Sequence, residues 1–300
     1  MQGLRHAKGI GFTGKARHSG KMILLFSLFP MIWPWAWLMA ALVTLLIGFH
    51  RIGMALLGVW GVIALFAGLV SPLAAASVGL ALGVAAALPR LHGTAAIAGN
   101  GVMIAICIAL AAHLVPGFGN IPVLKEVQAG PASSPYTLYL NFDKPLVLAL
   151  LLLAWPRLTA IEAPLRPFPI ALAVFLTLGL FPVALWSGAL RPEFTVPDWV
   201  FLFLIANLLQ TCLVEETFFR GYLQRAAQDR IGPVPAVFLV SVLFGMAHFG
   251  GGPALVVFAG MLGLGCGMAF LFSGRLWVPV VLHFGFNTIH LLAFTYPSPL

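Results

Sequence analysis

The stretch VEETFFRGYLQ, residues 214–224, sets two adjacent carboxylates, Glu215 and Glu216, in one of the most apolar thirds of a 300-residue chain with eight Asp and Glu in all. A soluble domain of this length carries about a quarter charged residues. This chain has 8% charged and 61% hydrophobic residues, and so reads as a membrane protein. A carboxylate near a bilayer centre costs several kcal/mol unless it is paired or faces a polar cavity. The two acids therefore mark the part of the fold that needs explaining.

Outward from that stretch, apolar runs cover residues 23–49, 54–70, 72–88, 94–115, 146–155, 169–186, 199–226, 235–249, 254–272 and 278–294. A span across a core of about 30 Å takes roughly 20 residues, so the sequence predicts an all-α, polytopic membrane helical bundle of about 8–10 transmembrane helices. The short run at 146–155 predicts half of a broken or tilted helix. The short alternating segments of an outer-membrane barrel are absent, and no internal repeat is visible. Segments rich in Pro, Gly and charge, at 117–145, 156–167, 188–197, 228–233, 250–253 and 273–277, read as loops. The first is the longest, either a cover for a site or a flexible connection.

The net charge of +8 is spread over short loops, a pattern of membrane orientation and not of nucleic-acid binding. Cys107, Cys212 and Cys266 lie in apolar runs with no paired spacing and read as packing residues. Residues 1–22, with Arg5, Lys8, Lys15, Arg17 and Lys21, form a basic leader. The run behind it is too long for a cleaved signal, which makes it a retained segment with a cytoplasmic N-terminus in the cell (inner) membrane. With the loop after Arg220 cytoplasmic, Arg51, Arg90, Arg157, Arg166, Arg225, Arg230 and Arg275 fall inside, and Lys125, Lys144 and Arg191 outside. The leader is then inside only if 23–49 crosses twice or re-enters, broken at Pro30 or Pro34.

Glu216 and Arg220 stand i, i+4 with the acid first, the favourable orientation for a same-face ion pair. Glu215 lies about 100° round the helix and gets no such partner from its own helix. Phe244 and His248, and His283 and Asn287, are also i, i+4 pairs on later spans. In a hairpin turning near 228–233, Glu215 and His248 both sit about 21 Å from the turn, level with one another. His283 and Asn287 rise roughly 10 to 17 Å from the same side. Each residue alone is readily a helix-packing group, but one acid, two imidazoles and one carboxamide at compatible depth make a set. An acid desolvated in an apolar cavity suits a general base, and with His248 it can hold and deprotonate a water. His283 and Asn287 supply two donors of an oxyanion hole, a hydrolase constellation whose natural substrate is a peptide bond.

EETFFR fits EExxxR, FGMAH fits FxxxH and HFGFN fits HxxxN, in that order. The set resembles the CPBP family of intramembrane proteases, which includes the CAAX proteases related to the Ras-converting enzyme and the bacteriocin-processing Abi proteins. The resemblance implies an endopeptidase acting on a membrane-associated protein or peptide. It implies that Glu215 and His248 activate water, that His283 and Asn287 stabilise the oxyanion, and that Glu216, Arg220 and Phe244 support them. It divides the chain into the leader 1–22, membrane helices 23–197 of unassigned role, and a CPBP-type catalytic core at 198–296. The family is often labelled metalloprotease, which would make Glu215, His248 and His283 ligands of zinc. The chain has no HExxH, and a metal-free glutamate mechanism is favoured. His290, a turn beyond Asn287, is an additional candidate better explained by packing. The partners expected are the substrate and the lipid bilayer, with no nucleic acid. The rivals are a polytopic transporter, against which the missing repeat counts, and a non-catalytic membrane scaffold.

Overall fold

In lipid the backbone has no water to bond to, so apolar sequence satisfies its amides within helices. The computed structural model describes residues 32–155, 157–161 and 163–300. The basic leader, residues 23–31 and the break expected at Pro30 lie outside the described residues. The helices are α1 (Ile32–Leu46), α2 (His50–Phe66), α3 (Pro72–Ala87), α4 (Gly93–Ala111), α5 (Leu146–Ala154), α6 (Pro167–Leu178) and α7 (Leu180–Trp186). They continue as α8 (Val200–Ile231), α9 (Pro233–Met246), α10 (Pro253–Ser273) and α11 (Trp277–Ala293). Five helical stretches among the described residues are long and apolar enough to cross a membrane, and four shorter apolar helices accompany them. The protein is an all-α polytopic membrane bundle, as its composition predicts.

Several expectations are corrected. The segment 117–145 holds an antiparallel hairpin, β1 (Ile121–Val127) and β2 (Tyr136–Leu140), so it is not a structureless loop. Its strands pair Ile121 with Leu140 and Val127 with Tyr136 across two irregularities. The described part of the run 23–49 contains one helix, α1, which runs unbroken past Pro34 because that residue sits in the first turn, where no amide is needed. α9 stops at Met246, short of residue 249, so His248 stands beyond the helix end before a short turn at Phe249–Gly251.

The bundle has two distinguishable ends. At one, the Arg225 guanidinium donates to the carbonyls of Arg157, Leu158 and Ala160, and the Arg166 amide donates to Phe272 O. This end gathers residues that the charge pattern places inside. At the other end lie the hairpin, Glu193 and the C-terminal tail, where the Ser133 hydroxyl donates to Glu193 and the Tyr296 amide donates to Ser133. Gln210 of α8 joins three elements there. Its Oε1 accepts from Trp35 Nε1 of α1 at 2.9 Å and from the Asn141 amide at 3.1 Å, and its Nε2 donates to Tyr139 O at 2.7 Å.

α5 is nearly all buried and only nine residues long, about 14 Å. It packs on α3 and α8 as an internal half-span. α10 lies between α6, α9 and α11. Its contact with α9 depends on small residues: a Cβ on Gly245 would come 2.6 Å from Val256 O and 3.1 Å from Gly260 Cα. Membrane helices associate through such close backbone approach, lacking a hydrophobic drive. Gly245→Ala is expected to destabilise the protein by about 1–3 kcal/mol, read as a lowered melting temperature in detergent. An unchanged melt would show that this helix contact gives way freely.

Candidate active site

The motif acids lie in an unusual part of α8. Two π-helical segments, Asn207–Cys212 and Thr217–Gln224, flank a single α-turn at Leu213–Glu216 that carries both. π-turns are rare, widen the helix and recur at functional sites. The three cysteines are buried, and Cys212 donates to Asn207 Oδ1 at 3.2 Å.

Glu216 is completely buried and shared by two cationic or potentially cationic groups. Arg220 Nη1 donates to its Oε1 at 3.2 Å, and Arg220 Nε lies 3.2 Å from Oε2, in ion-pair range but out of hydrogen-bond alignment. The pairing that the i, i+4 spacing predicts is therefore present. His283 Nδ1 of α11 meets Glu216 Oε1 at 2.8 Å. Arg220, also fully buried, donates through Nη2 to Gly263 O of α10 at 2.9 Å. Gly263 leaves little room, since a Cβ there would meet Phe244 at 3.2 Å and Arg220 Nη2 at 3.3 Å.

Phe244 is the aromatic centre of the cluster. The Arg220 guanidinium lies 4.5 Å from its ring centroid, a cation–π contact. Its ring stands 5.7 Å from His283, edge-on, and 4.9 Å from His248. His248 Nδ1 bonds Phe244 O at 2.8 Å, which fixes the imidazole although it has left the helix. Arg220, Phe244, His283 and Glu216 thus come together from three helices.

Glu215 behaves differently from the sequence expectation. It is not unpaired: Lys144, from the turn before α5, donates to its Oε1 at 2.7 Å. Sequence reasoning placed Lys144 only as a topology marker, because 71 residues separate the two. The remaining oxygen, Oε2, is buried with no hydrogen-bond partner among the described residues. Asn287 and His283 share a face of α11 but do not share a target. Asn287 Nδ2 reaches Asn207 Oδ1 at 3.4 Å and Cys212 Sγ at 3.8 Å, one turn from the Glu216 contact. His290 bonds Thr295 O at 3.2 Å and serves the tail.

A cavity of about 430 Å³ lies between the hairpin, the end of α4 and α8. It is lined by His113, Asn120, Tyr139, Gln210 and Thr211 among others, and Thr211 stands four residues before Glu215. Asp143, at the cavity's edge, is braced by His113 Nδ1 at 2.7 Å, Asn120 Nδ2 at 3.1 Å and the Lys144 amide at 2.8 Å. Among the described residues, no three His, Cys, Asp or Glu side chains group as a metal ion would require. Glu215, His248 and His283 form no such group.

Two consequences are measurable. Arg220→Met removes one partner of a buried ion pair, a change that costs roughly 3–5 kcal/mol; a thermal melt within about 1 kcal/mol of wild type would contradict the network. At Asp143, burial works against ionisation, but the His113 bond, the Lys144 amide and the Asn120 bond outweigh it and hold the carboxyl below its ordinary 3.8. A depressed pKa stabilises the fold fully above that ordinary value and loses its contribution as pH falls through the folded value. The melting temperature is expected to drop below pH 3.8, and to drop less in Asp143→Asn.

No curated protein and no solved structure matches the chain. Residues 197–289 match the family model described as type II CAAX prenyl endopeptidase Rce1-like. That segment contains all three motifs and the Glu216, Arg220, Phe244 and His283 cluster. The match, with the apolar bundle around it, supports a CPBP/CAAX-type protease segment at residues 197–289 of this membrane protein.

Proposed function

We propose that the protein is a glutamate-dependent intramembrane endopeptidase that hydrolyses a peptide bond in a membrane-associated protein or peptide. The observation that carries this reading is the convergence of the three motifs. Glu216 of the first bonds His283 of the third at 2.8 Å, and Phe244 of the second lies between His248 and His283. Glu215 is the general base. Its Oε2 has unused accepting capacity, and with His248 it holds the attacking water.

With Nδ1 of His283 committed to Glu216, Nε2 is the ring atom left to face the reacting carbonyl. As an imidazolium it donates from Nε2 to the developing oxyanion, with the Asn287 amide as second donor. Glu216, itself held by Arg220, orients that imidazole and offsets its charge in a site too dry to do so with water. After attack, the proton taken by Glu215 passes to the leaving amine, which completes hydrolysis. Candidate substrates are prenylated CAAX-like tails, leader peptides and C-terminal sorting tails. The spread of Lys and Arg over short loops supports a membrane location with Arg225, Arg230 and Arg275 on the cytoplasmic side.

The test reconstitutes the full chain in proteoliposomes with a prenylated CAAX-tail peptide, a leader peptide and a membrane sorting-tail peptide, products being read by mass spectrometry. Wild type is expected to cut at least one, and Glu215→Gln to lose roughly 10²–10⁴-fold in rate, the usual worth of a general base. Undiminished cleavage by Glu215→Gln would overturn the role of Glu215. Activity is expected to survive a strong chelator, and loss that zinc restores would return the site to metal chemistry.

A further inference from the structure

Lys144 lies outside the matched segment 197–289, yet it bonds the proposed base directly. Depth explains how a residue from a turn can do so. Glu215 lies ten residues before Arg225 along α8, and Arg225 bonds the Arg157 and Leu158 carbonyls just past the far end of α5. Because α5 is a half-span of about 14 Å, the residue before it, Lys144, arrives level with Glu215 inside the bundle. A full-length helix there would carry it out to the membrane surface.

The main chain at Lys144 is also fixed. Asn120 Oδ1 accepts the Phe142 amide at 2.8 Å, and Asp143 Oδ1 accepts the Lys144 amide at 2.8 Å. Asp143 is almost fully buried and is gripped in turn by Asn120 and His113. A lysine side chain is long and flexible, so a braced backbone removes much of the entropy that would blur its position. The ammonium and carboxylate are each only about one-sixth exposed, at 16% and 15%. The result is asymmetric: Oε1 of Glu215 is taken and Oε2 is not.

We infer that Lys144, held by the Asn120–Asp143–His113 brace, is a positioning residue for Glu215. Its ammonium occupies Oε1, fixes the carboxylate rotamer and leaves Oε2 as the oxygen that receives the attacking water. The first half of the chain thereby supplies a group that the motif segment lacks. This inference rests on Glu215 being the base. A purely structural lysine would change stability without a selective effect on turnover, and a substrate-binding lysine would change KM.

The experiment compares wild type, Lys144→Met, Lys144→Arg and Glu215→Gln in the full chain, by cleavage kinetics on whichever of the three peptides is cut. Infrared difference spectra of the carboxylate stretch, with Glu215→Gln as the subtraction, provide a readout independent of activity. A carboxylate displaced by about 1 Å can cost roughly 100-fold in rate. Lys144→Met is therefore expected to lose about that factor in kcat with KM unchanged and to shift the Glu215 band, while Lys144→Arg recovers most of the rate and the band. An unchanged kcat, a change confined to KM, or a band insensitive to Lys144→Met would overturn the inference. If Lys144→Met does not fold, Lys144→Gln is read the same way. Full activity in Glu215→Gln would instead sink the assignment of the base, and a dead Glu215→Gln beside a fully active Lys144→Met would sink only the role of Lys144.

Discussion

A carboxylate placed in hydrocarbon has to find its counter-charge inside the protein, and the fold around Glu216 is built on that requirement. The cost of leaving such a charge alone is several kcal/mol. Glu216 meets it with Arg220 from its own helix and His283 from α11, and Arg220 is completed by Gly263 O from α10. Three helices are thereby fixed in rotation and height relative to one another. Dispersion between apolar side chains alone would let them slide, since lipid tails offer similar contacts. The aromatic ring of Phe244 fills the space between the ions and carries His248 to the same place.

The neighbouring acid, Glu215, meets the same requirement by another route. Its cation comes from the N-terminal half, delivered by a short helix and a braced turn. The helices outside the matched segment therefore have a physical role, since they set the depth at which Lys144 enters the bundle. The hairpin serves the same end, because Gln210 ties Tyr139 O and the Asn141 amide to α8, one and a half turns before the acids. The polar cavity between hairpin and α8 is the space that this arrangement leaves.

Much of the site was legible in the sequence because its signals are local. The i, i+4 spacing of Glu216 and Arg220 needs only helical geometry, and the structure has that bond. The order of the three motifs, with the apolar runs that carry them, was equally readable. Other features depended on details that spacing does not encode. The π-turns on either side of Leu213–Glu216 interrupt the regular helical count. α9 ends before His248, so that residue is held by its bond to Phe244 O and not by helical register. His283 and Asn287 share a face yet bind different groups, because a face one turn long already meets two levels of α8.

The sequence by itself determined that the chain lives in a membrane, that it folds as helices, and that its few intramembrane polar groups cluster in the final third. Those conclusions follow from the cost of exposing backbone and charge to lipid, which depends on composition and local order. Only the tertiary structure decided which partners the acids take from elsewhere in the chain. Glu216 gains His283 beside Arg220, and Glu215 takes Lys144, because an ion pair forms wherever packing brings two charges to one depth, however far apart they lie along the chain.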